Sequence, residues 1–324
     1  MNTRARIATV CQAERFFPTV EQNRDFVLGT LELALLQKPD LVCLPESFTT
    51  VTHPGDASAR AENVPGPTTD RVCALAKRHG SYVICPIITR RDGHIFNSAI
   101  MIDRKGQIAG IYDKRRPVAT GHEYTILDRG CEPGLGDGIF DLDFGRIGIR
   151  ICFDVGFPDD WALLASKGAR LVFWPSAYHG GPRFNAYALL NRYYVVTSVR
   201  TAHSRIIDPC GTTLAQTDNI VNVVVRDINL DFAVCHYDYN NGIPDKILAD
   251  YPGRVEIRSD PDSVNFFVEP VDPSVTIATL QEKYAFETAD QYHERHMEAY
   301  ASYARGEKPI RQNAPHGNRA MWSK

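Results

Sequence analysis

Two hydrophobic rhythms alternate along the chain. In the first, apolar residues recur at helical spacing, the run is stopped, and a short stretch that is apolar on both faces follows. Val27, Leu28, Leu31, Ala34 and Leu35 share one helical face, Pro39-Asp40 ends it, and Leu41-Val42-Cys43-Leu44 reads as a strand buried on both sides. The pattern returns at Val72, Leu75 and Ala76, with Gly80 as the helix stop and residues 82–85 as the strand. It returns at 161–167 with Gly168 and 171–174, and a fourth time at 186–192 before 194–199. The second rhythm is hairpins. Residues 98–102 pair with 107–112, 139–144 with 147–152 across Gly145-Arg146, and 204–207 with 213–215. Helix–strand units mixed with hairpins predict an α/β protein with mixed sheets. After about Pro273 the character changes: residues 276–305 read as one or two polar helices, and the chain from Gly306 on as loosely structured. The expected organisation is a main domain at 1–272 and a helical extension at 273–324 that packs on the body or on a partner subunit.

Composition narrows the class. The 324 residues are 44% hydrophobic and 23% charged, as in an ordinary globular enzyme with a large core. A net charge of -3 without a long basic run argues against a nucleic-acid partner. No stretch is apolar enough to span a bilayer, and the run from Ile7 to Cys11 is too short for a signal-peptide core, so no membrane association is expected. Eight cysteines stand without paired spacing, several of them inside apolar runs. Buried, reduced thiols are the expectation, and with them a cytoplasmic location.

The candidate chemistry lies just past strand-like runs. Glu46 follows Leu44-Pro45, Lys114 follows Tyr112-Asp113, and Cys152 ends Ile147-Gly148-Ile149-Arg150-Ile151 ahead of a helix start at Phe157-Pro158-Asp159-Asp160. Ligands of α/β sheets bind outside the carboxyl ends of strands, so a carboxylate, a cation and a thiol at three such ends could converge. Singly, each has an ordinary reading: a solvated loop glutamate, an exposed basic corner, a small core cysteine.

Together, Pro45-Glu46, Tyr112-Asp113-Lys114, Glu123 and Ile151-Cys152-Phe153-Asp154 with Phe157-Pro158 resemble the carbon–nitrogen hydrolase (nitrilase) superfamily. The resemblance runs from about residue 7 to residue 231 and includes Pro175-Ser176-Ala177 and the segment Ile206-Ile207-Asp208-Pro209-Cys210-Gly211. It implies a four-layer α-β-β-α sandwich with two central mixed sheets, and a homodimer or larger homo-oligomer. It implies a Glu–Lys–Cys triad of Glu46, Lys114 and Cys152. Glu46 would be the general base, Cys152 the nucleophile that forms a thioester, and Lys114 with the Phe153 N–H the oxyanion partners. Glu123 matches a second family glutamate that would fix Lys114 or touch the substrate nitrogen. Arg116 departs from the family, which often has His there.

The residues after the nucleophile address the substrate. Nitrilases typically show Trp-Glu after the cysteine, whereas Phe153-Asp154 looks like the amidase and carbamoylase branches. Gly156 stands where branches acting on ω-amides of dicarboxylates resemble one another in carrying an arginine, which argues against a carboxylate at that spot. By the same resemblance Phe153, Trp174, Ser176, Ala177 and Tyr178 contact the substrate. Strand alternation puts Arg150 on the face of Cys152; it is read as a structural ion pair with Asp143 or Asp154, with a place beside the thiol as the alternative. His293 and His296 read as one exposed helical face, and no metal and no cofactor are expected. The implied activity is hydrolysis of a linear amide or N-carbamoyl C–N bond in a small molecule. Nitrile hydrolysis, acyl transfer to an amine on the same thioester, and a catalytically silent binding scaffold are the alternatives.

Overall fold

The computed structural model describes residues 3–120, 123, 125–238, 240–259 and 264–308. They form two compact units, 1–228 and 229–324. The first unit opens with β1 (Arg4–Val10), α1 (Val20–Leu35), β2 (Leu41–Cys43), the single-turn α2 (Ala57–Arg60), β3 (Glu62–Asn63) and α3 (Pro67–His79). Next come β4 (Tyr82–Arg91), β5 (His94–Ile102), β6 (Ile108–Asp113) and a short ladder of β7 (Ala119–Thr120) with β8 (Ile126–Leu127). It continues through β9 (Ile139–Leu142), β10 (Gly145–Ile149), α4 (Pro158–Ser166), β11 (Leu171–Ser176), α5 (Arg183–Asn191) and β12 (Tyr194–Val199). β13 (Arg205–Ile207), β14 (Thr213–Gln216) and β15 (Val223–Asn229) close it.

Two mixed sheets carry this unit. One has the order β15-β1-β2-β4-β5-β6, with β3 beside β4; the other runs β14-β13-β12-β11-β10-β9. In each, three strands are parallel, β1-β2-β4 and β10-β11-β12. The predicted hairpins extend them antiparallel as β5-β6, β9-β10 and β13-β14. α1 begins at a capping box: Thr19 Oγ1 accepts from the Gln22 amide at 3.1 Å, and Gln22 Oε1 accepts from the Thr19 amide at 3.3 Å. Its apolar face of Val27, Leu28, Leu31 and Leu35 shares a core with Val72 and Ala76 of α3 and with Val42 and Val83 of the first sheet. α4 and α5 cover the second sheet, Trp161, Leu164 and Phe184 packing with Val172, Trp174 and Val195. Gly148 of β10 makes that approach possible, because a Cβ there would meet the Leu164 side chain at 2.8 Å.

Buried hydroxyls join the two sheets. Thr9 Oγ1 donates to the Thr197 carbonyl at 2.7 Å, and Ser198 Oγ lies 2.8 Å from the Val10 carbonyl and 2.9 Å from that of Cys43. These bonds satisfy polar groups that burial would otherwise penalise. They also hold the carboxyl ends of β1, β2 and β12 side by side.

The second unit is a three-stranded antiparallel sheet of β16 (Ala233–His236), β17 (Val255–Ser259) and β18 (Asn265–Pro270) in the order β16-β18-β17, with α6 (Ile243–Asp250), α7 (Ile277–Tyr284) and α8 (Ala289–Ala304). α7 and α8 realise the two polar helices expected after Pro273. The sheet and α6 have no counterpart in the sequence reading. They move the division from 272/273 to 228/229, because Cys235, Ile247 and Val268 share a core with Leu280 and Phe286. Among the described residues no helix is long and apolar enough to cross a membrane.

Arg150 has a structural place, but not as an ion pair. It is fully buried and donates to carbonyl oxygens, Nη2 to Asp160 at 2.7 Å and Nη1 to Asp137 at 2.8 Å and Ile149 at 2.9 Å. Asp143 is engaged instead by Arg104. The guanidinium fastens the start of α4 and the loop before β9 to β10. Arg150→Met is expected to cost about 3 kcal/mol by orphaning those carbonyls. In urea unfolding its midpoint falls clearly below that of the parent; an unchanged midpoint would sink the structural role.

Candidate active site

The carboxyl ends of four strands meet at one cavity of about 330 Å³. Glu46 follows β2, Lys114 follows β6, Cys152 follows β10, and Arg200 follows β12. The first three are buried, at 3%, 2% and 8% exposure. The backbone is pinned at each. Lys114 N–H donates to the Asn97 carbonyl at 2.8 Å, and its own carbonyl accepts from Gly134 at 2.9 Å. Gly134 is required there, since a Cβ would lie 2.2 Å from the Asp113 carbonyl oxygen. The Glu46 carbonyl accepts from Arg200 Nε at 2.6 Å.

Cys152 takes a left-handed backbone, φ 44°, as the strand turns into a short 3-10 segment, Cys152–Gly156. That conformation is costly for a residue with a Cβ and persists only where its surroundings hold it. Asp154 supplies the hold. Fully buried, it accepts from the Ile151 amide at 2.8 Å, from the Tyr112 hydroxyl at 2.7 Å and from the Arg116 amide at 2.8 Å. One carboxylate therefore ties the cysteine turn to both sides of Lys114. Trp174 Nε1 donates to the Cys152 carbonyl at 2.9 Å from below.

The charges are ordered by contact. Lys114 Nζ lies 2.7 Å from Asp128 Oδ2 and 3.3 Å from Glu46 Oε1, and Asn97 Nδ2 donates to that same Oε1 at 2.8 Å. Burial alone would favour neutral lysine, but the facing charges of Glu46 and Asp128 raise its pKa, so it stays an ammonium. Burial pushes the Glu46 carboxyl up, and the charges of Lys114 and Arg200 with the Asn97 hydrogen bond bring it below the ordinary range, so it is ionised. Burial and then the Glu46 charge push the Cys152 thiol up to about 12, against the lowering effect of Lys114. The resting arrangement is carboxylate, ammonium and neutral thiol. Glu46 Oε2 is buried and accepts no hydrogen bond from any described residue.

The other expected site residues divide. Ala177 lines the cavity. Ser176 is buried beneath it, its Oγ accepting from the Tyr178 amide at 3.2 Å. Trp174 is fully buried against Phe184, their ring centroids 4.3 Å apart, so it supports the cysteine turn and does not wall the cavity. Phe153 is exposed, its ring set edge-on to Phe157, while its N–H lies in the first turn of the 3-10 segment. Tyr178 is also half exposed, edge-on to Trp174. Glu123 stands exposed in the β7–β8 loop, and among the described residues the second carboxylate on Lys114 is Asp128. The ladder explains this: it folds the chain back so that Asp128 Oδ1 accepts from the Val118 amide at 2.9 Å and Oδ2 faces the ammonium. Asn97, Asp128 and Arg200 were not singled out from the sequence. The strand-end rule that located the other three residues applies equally to Arg200, whereas Asn97 is internal to β5 and carries no such signal.

A sequence model of the carbon-nitrogen hydrolase family matches residues 7–234, and the chain belongs to that family. The omega-amidase NIT2 of Xenopus tropicalis is 26% identical over 236 residues, which cover 66% of this chain and 86% of that one. Saccharomyces cerevisiae Nit3, a member of branch 10 of the nitrilase superfamily, matches in structure with a TM-score of 0.60 at 20% identity, over 77% of this chain and 95% of its own. A mutant amidase of Nesterenkonia sp. AN1, with the acetamide moiety of fluoroacetamide added covalently at its active-site cysteine, matches with a TM-score of 0.58 at 19% identity, over 69% and 90%. The fold is shared with both.

Two outcomes follow from the geometry. Lys114→Met removes the positive charge that lowers the Cys152 thiol, so iodoacetamide should alkylate Cys152 more slowly at pH 8, about tenfold for each unit by which the pKa rises. Alkylation at the parent's rate would show that Lys114 does not face the thiol electrostatically. Asp154→Asn replaces an acceptor with a donor before three donors and is expected to cost about 2–4 kcal/mol in urea unfolding; a stability equal to the parent's would remove Asp154 from its place as the clamp.

Proposed function

We propose that the protein hydrolyses a linear amide or N-carbamoyl C–N bond of a small molecule through a thioester on Cys152. The observation that carries this reading is a set of orphaned acceptors in the cavity. Glu46 Oε2, Ser47 Oγ and Asn97 Oδ1 are buried without a hydrogen-bond partner, and all three residues line the cavity that contains Cys152. Buried acceptors without donors are costly, and a primary amide or carbamoyl group brings two N–H donors. A nitrile brings none, so the acceptors favour amide over nitrile.

The chemistry runs in two halves. Glu46 takes the thiol proton as Sγ bonds to the carbonyl carbon, and the carbonyl electrons move to oxygen. The Lys114 ammonium and the Phe153 N–H stabilise that oxyanion. As it collapses, the C–N bond breaks, Glu46 returns the proton to the departing nitrogen, and ammonia or an amine leaves. Water then gives a proton to Glu46 and attacks the thioester, a second oxyanion forms and collapses, and the acid and the thiol are regenerated. A thiol that rests near 12 makes Glu46 necessary, because little thiolate exists before the proton moves. The covalent adduct at the active-site cysteine of the Nesterenkonia amidase supports the same role for Cys152. The reading carries the four-layer α-β-β-α order with it, supported by helices α1 and α3 on one sheet and α4 and α5 on the other.

Ammonia release from a panel of aliphatic, aromatic and carbamoyl amides and nitriles tests the reading. Amides should be cleaved and nitriles not, Cys152→Ala should release nothing, and Glu46→Gln should be about 10²–10⁴-fold slower. Rapid quenching should give an acyl adduct on Cys152 by mass spectrometry. Full activity in Cys152→Ala would overturn the proposal, and amide formation with added amine at the expense of acid would replace hydrolysis by acyl transfer.

A further inference from the structure

In the proposed mechanism Glu46 takes a proton and gives it back, and its two oxygens are not equivalent. Oε1 accepts from Asn97 Nδ2 at 2.8 Å and from Lys114 Nζ at 3.3 Å, so both of its lone pairs face donors. Oε2 is buried and accepts no hydrogen bond from any described residue. A proton on Oε1 would be set against two donors, one of them an ammonium, and would cost a hydrogen bond. A proton on Oε2 displaces nothing. The proton that leaves Sγ is therefore confined to Oε2. The O–H bond formed there as the S–H bond breaks is the one that later breaks as the departing nitrogen gains its N–H.

Arg200 reaches this carboxylate from the other sheet. It follows β12, whereas Glu46 follows β2. Its backbone is fixed on both sides: its N–H donates to the Ser176 carbonyl at 3.1 Å, and its carbonyl accepts from the Glu14 amide at 2.9 Å. From there Nε donates to the Glu46 carbonyl at 2.6 Å. Directly after Glu46 the chain turns left-handed at Ser47, φ 45°, a conformation that persists only where its surroundings hold it. The guanidinium holds the near side of that turn, and the Ser47 amide holds the far side by donating to the Pro86 carbonyl at 2.9 Å. Nη2 stands 3.8 Å from Oε2, too far for a hydrogen bond and close enough for attraction between charges. Burial pushes the Glu46 carboxyl up, and the charge of Lys114 and then that of Arg200 bring it down. Arg200 thus disfavours a proton on Oε2 without occupying the oxygen.

We propose that Arg200 is a positioning residue for the base: by holding the Glu46 carbonyl and standing off Oε2, it keeps that oxygen charged, unoccupied and directed at the thiol and then at the departing nitrogen. This rests on the amidase reading for the two proton transfers. The other groups around Glu46 leave Arg200 as the one that a substitution there changes. Lys114 and Cys152 face the carboxylate whatever stands at 200, and Asp128 stays on Lys114. Arg60 and Arg129, on the same cavity wall, are guanidiniums that carry their charge throughout the acid range. Burial pushes the Cys131 thiol up to about 12 and raises the Tyr178 hydroxyl, so neither titrates where a carboxyl does.

Two measurements test it. The first is the pH profile of amide cleavage. In Arg200→Met the lost charge lets Glu46 take a proton at higher pH, so the acid limb of kcat/KM should move up by about one unit or more. Its plateau kcat should fall about tenfold or more with KM nearly unchanged. Arg200→Gln keeps a donor for the buried carbonyl but no charge; its acid limb should move as far, and it gives the same reading if Arg200→Met does not fold. Arg200→Lys restores the charge but not the planar fork, so its acid limb should return to within about half a unit of the parent's while its plateau kcat stays lower. An acid limb unmoved in the neutral variants overturns the proposal, and so does a loss carried wholly by KM, which would make Arg200 a substrate contact. The second measurement needs no turnover. Infrared titration of the resting protein follows the protonated carboxyl band that Glu46→Gln removes, and its midpoint should rise by about one unit in the neutral variants and return in Arg200→Lys. That result supports the positioning role even if no amide is cleaved, in which case only the amidase reading fails; a midpoint equal to the parent's in the neutral variants overturns it.

Discussion

The Asp154 carboxylate is the constraint on which the site depends. It takes donors from the residue before Cys152, from the side chain of Tyr112 and from the amide of Arg116, and so locks two strand ends from different sheets into one register. Without it, the left-handed turn at Cys152 would have little to keep it from relaxing, and Lys114 would lose the anchors two residues to either side of it. Asp154 sits two residues beyond Cys152 and is buried away from the cavity. Its effect is geometric: it decides where a thiol and an ammonium stand relative to each other.

The electrostatics then follow from burial. The Lys114 ammonium and the Glu46 carboxylate, enclosed together, each hold the other in the charged form. The thiol is the exception. With Glu46 beside it and little water to stabilise a thiolate, it stays protonated, unlike cysteines activated by a helix N-terminus or a protonated histidine. In the proposed mechanism, nucleophilicity is gated by proton transfer to Glu46. Substrate donors that satisfy the orphaned acceptors of Glu46, Ser47 and Asn97 would complete a polar set that the protein alone leaves open.

The same economy extends to the cavity wall. Asp128 fixes Lys114, and its turn carries Arg129 toward Arg60, so the loop that completes the ammonium's coordination also shapes what can approach it. The second unit has a three-stranded sheet and a core of its own.

The order of helices, strands and hairpins was readable from the chain because each apolar run is long, periodic and cleanly stopped, as at Pro39-Asp40 and Gly168. Glu46, Lys114 and Cys152 were readable for the same reason, since each stands where an apolar run ends. Local pattern failed where the run was short or the role came from a distant contact. β16, β17 and β18 alternate too briefly to register, Asp128 follows a two-residue ladder, and Trp174 looks like a pocket aromatic until its indole is seen beneath the Cys152 carbonyl. Glu123 matched by position in the chain, yet the ladder turned Asp128 and not Glu123 toward the ammonium. What the sequence determined by itself was which residues end up at strand termini, because that depends on nearest neighbours along the chain. Which termini meet and which carboxylate faces the lysine depend on hydrogen bonds between segments 10 to 188 residues apart, such as Val118 to Asp128 and Ser198 to Val10, and only the tertiary structure decides them.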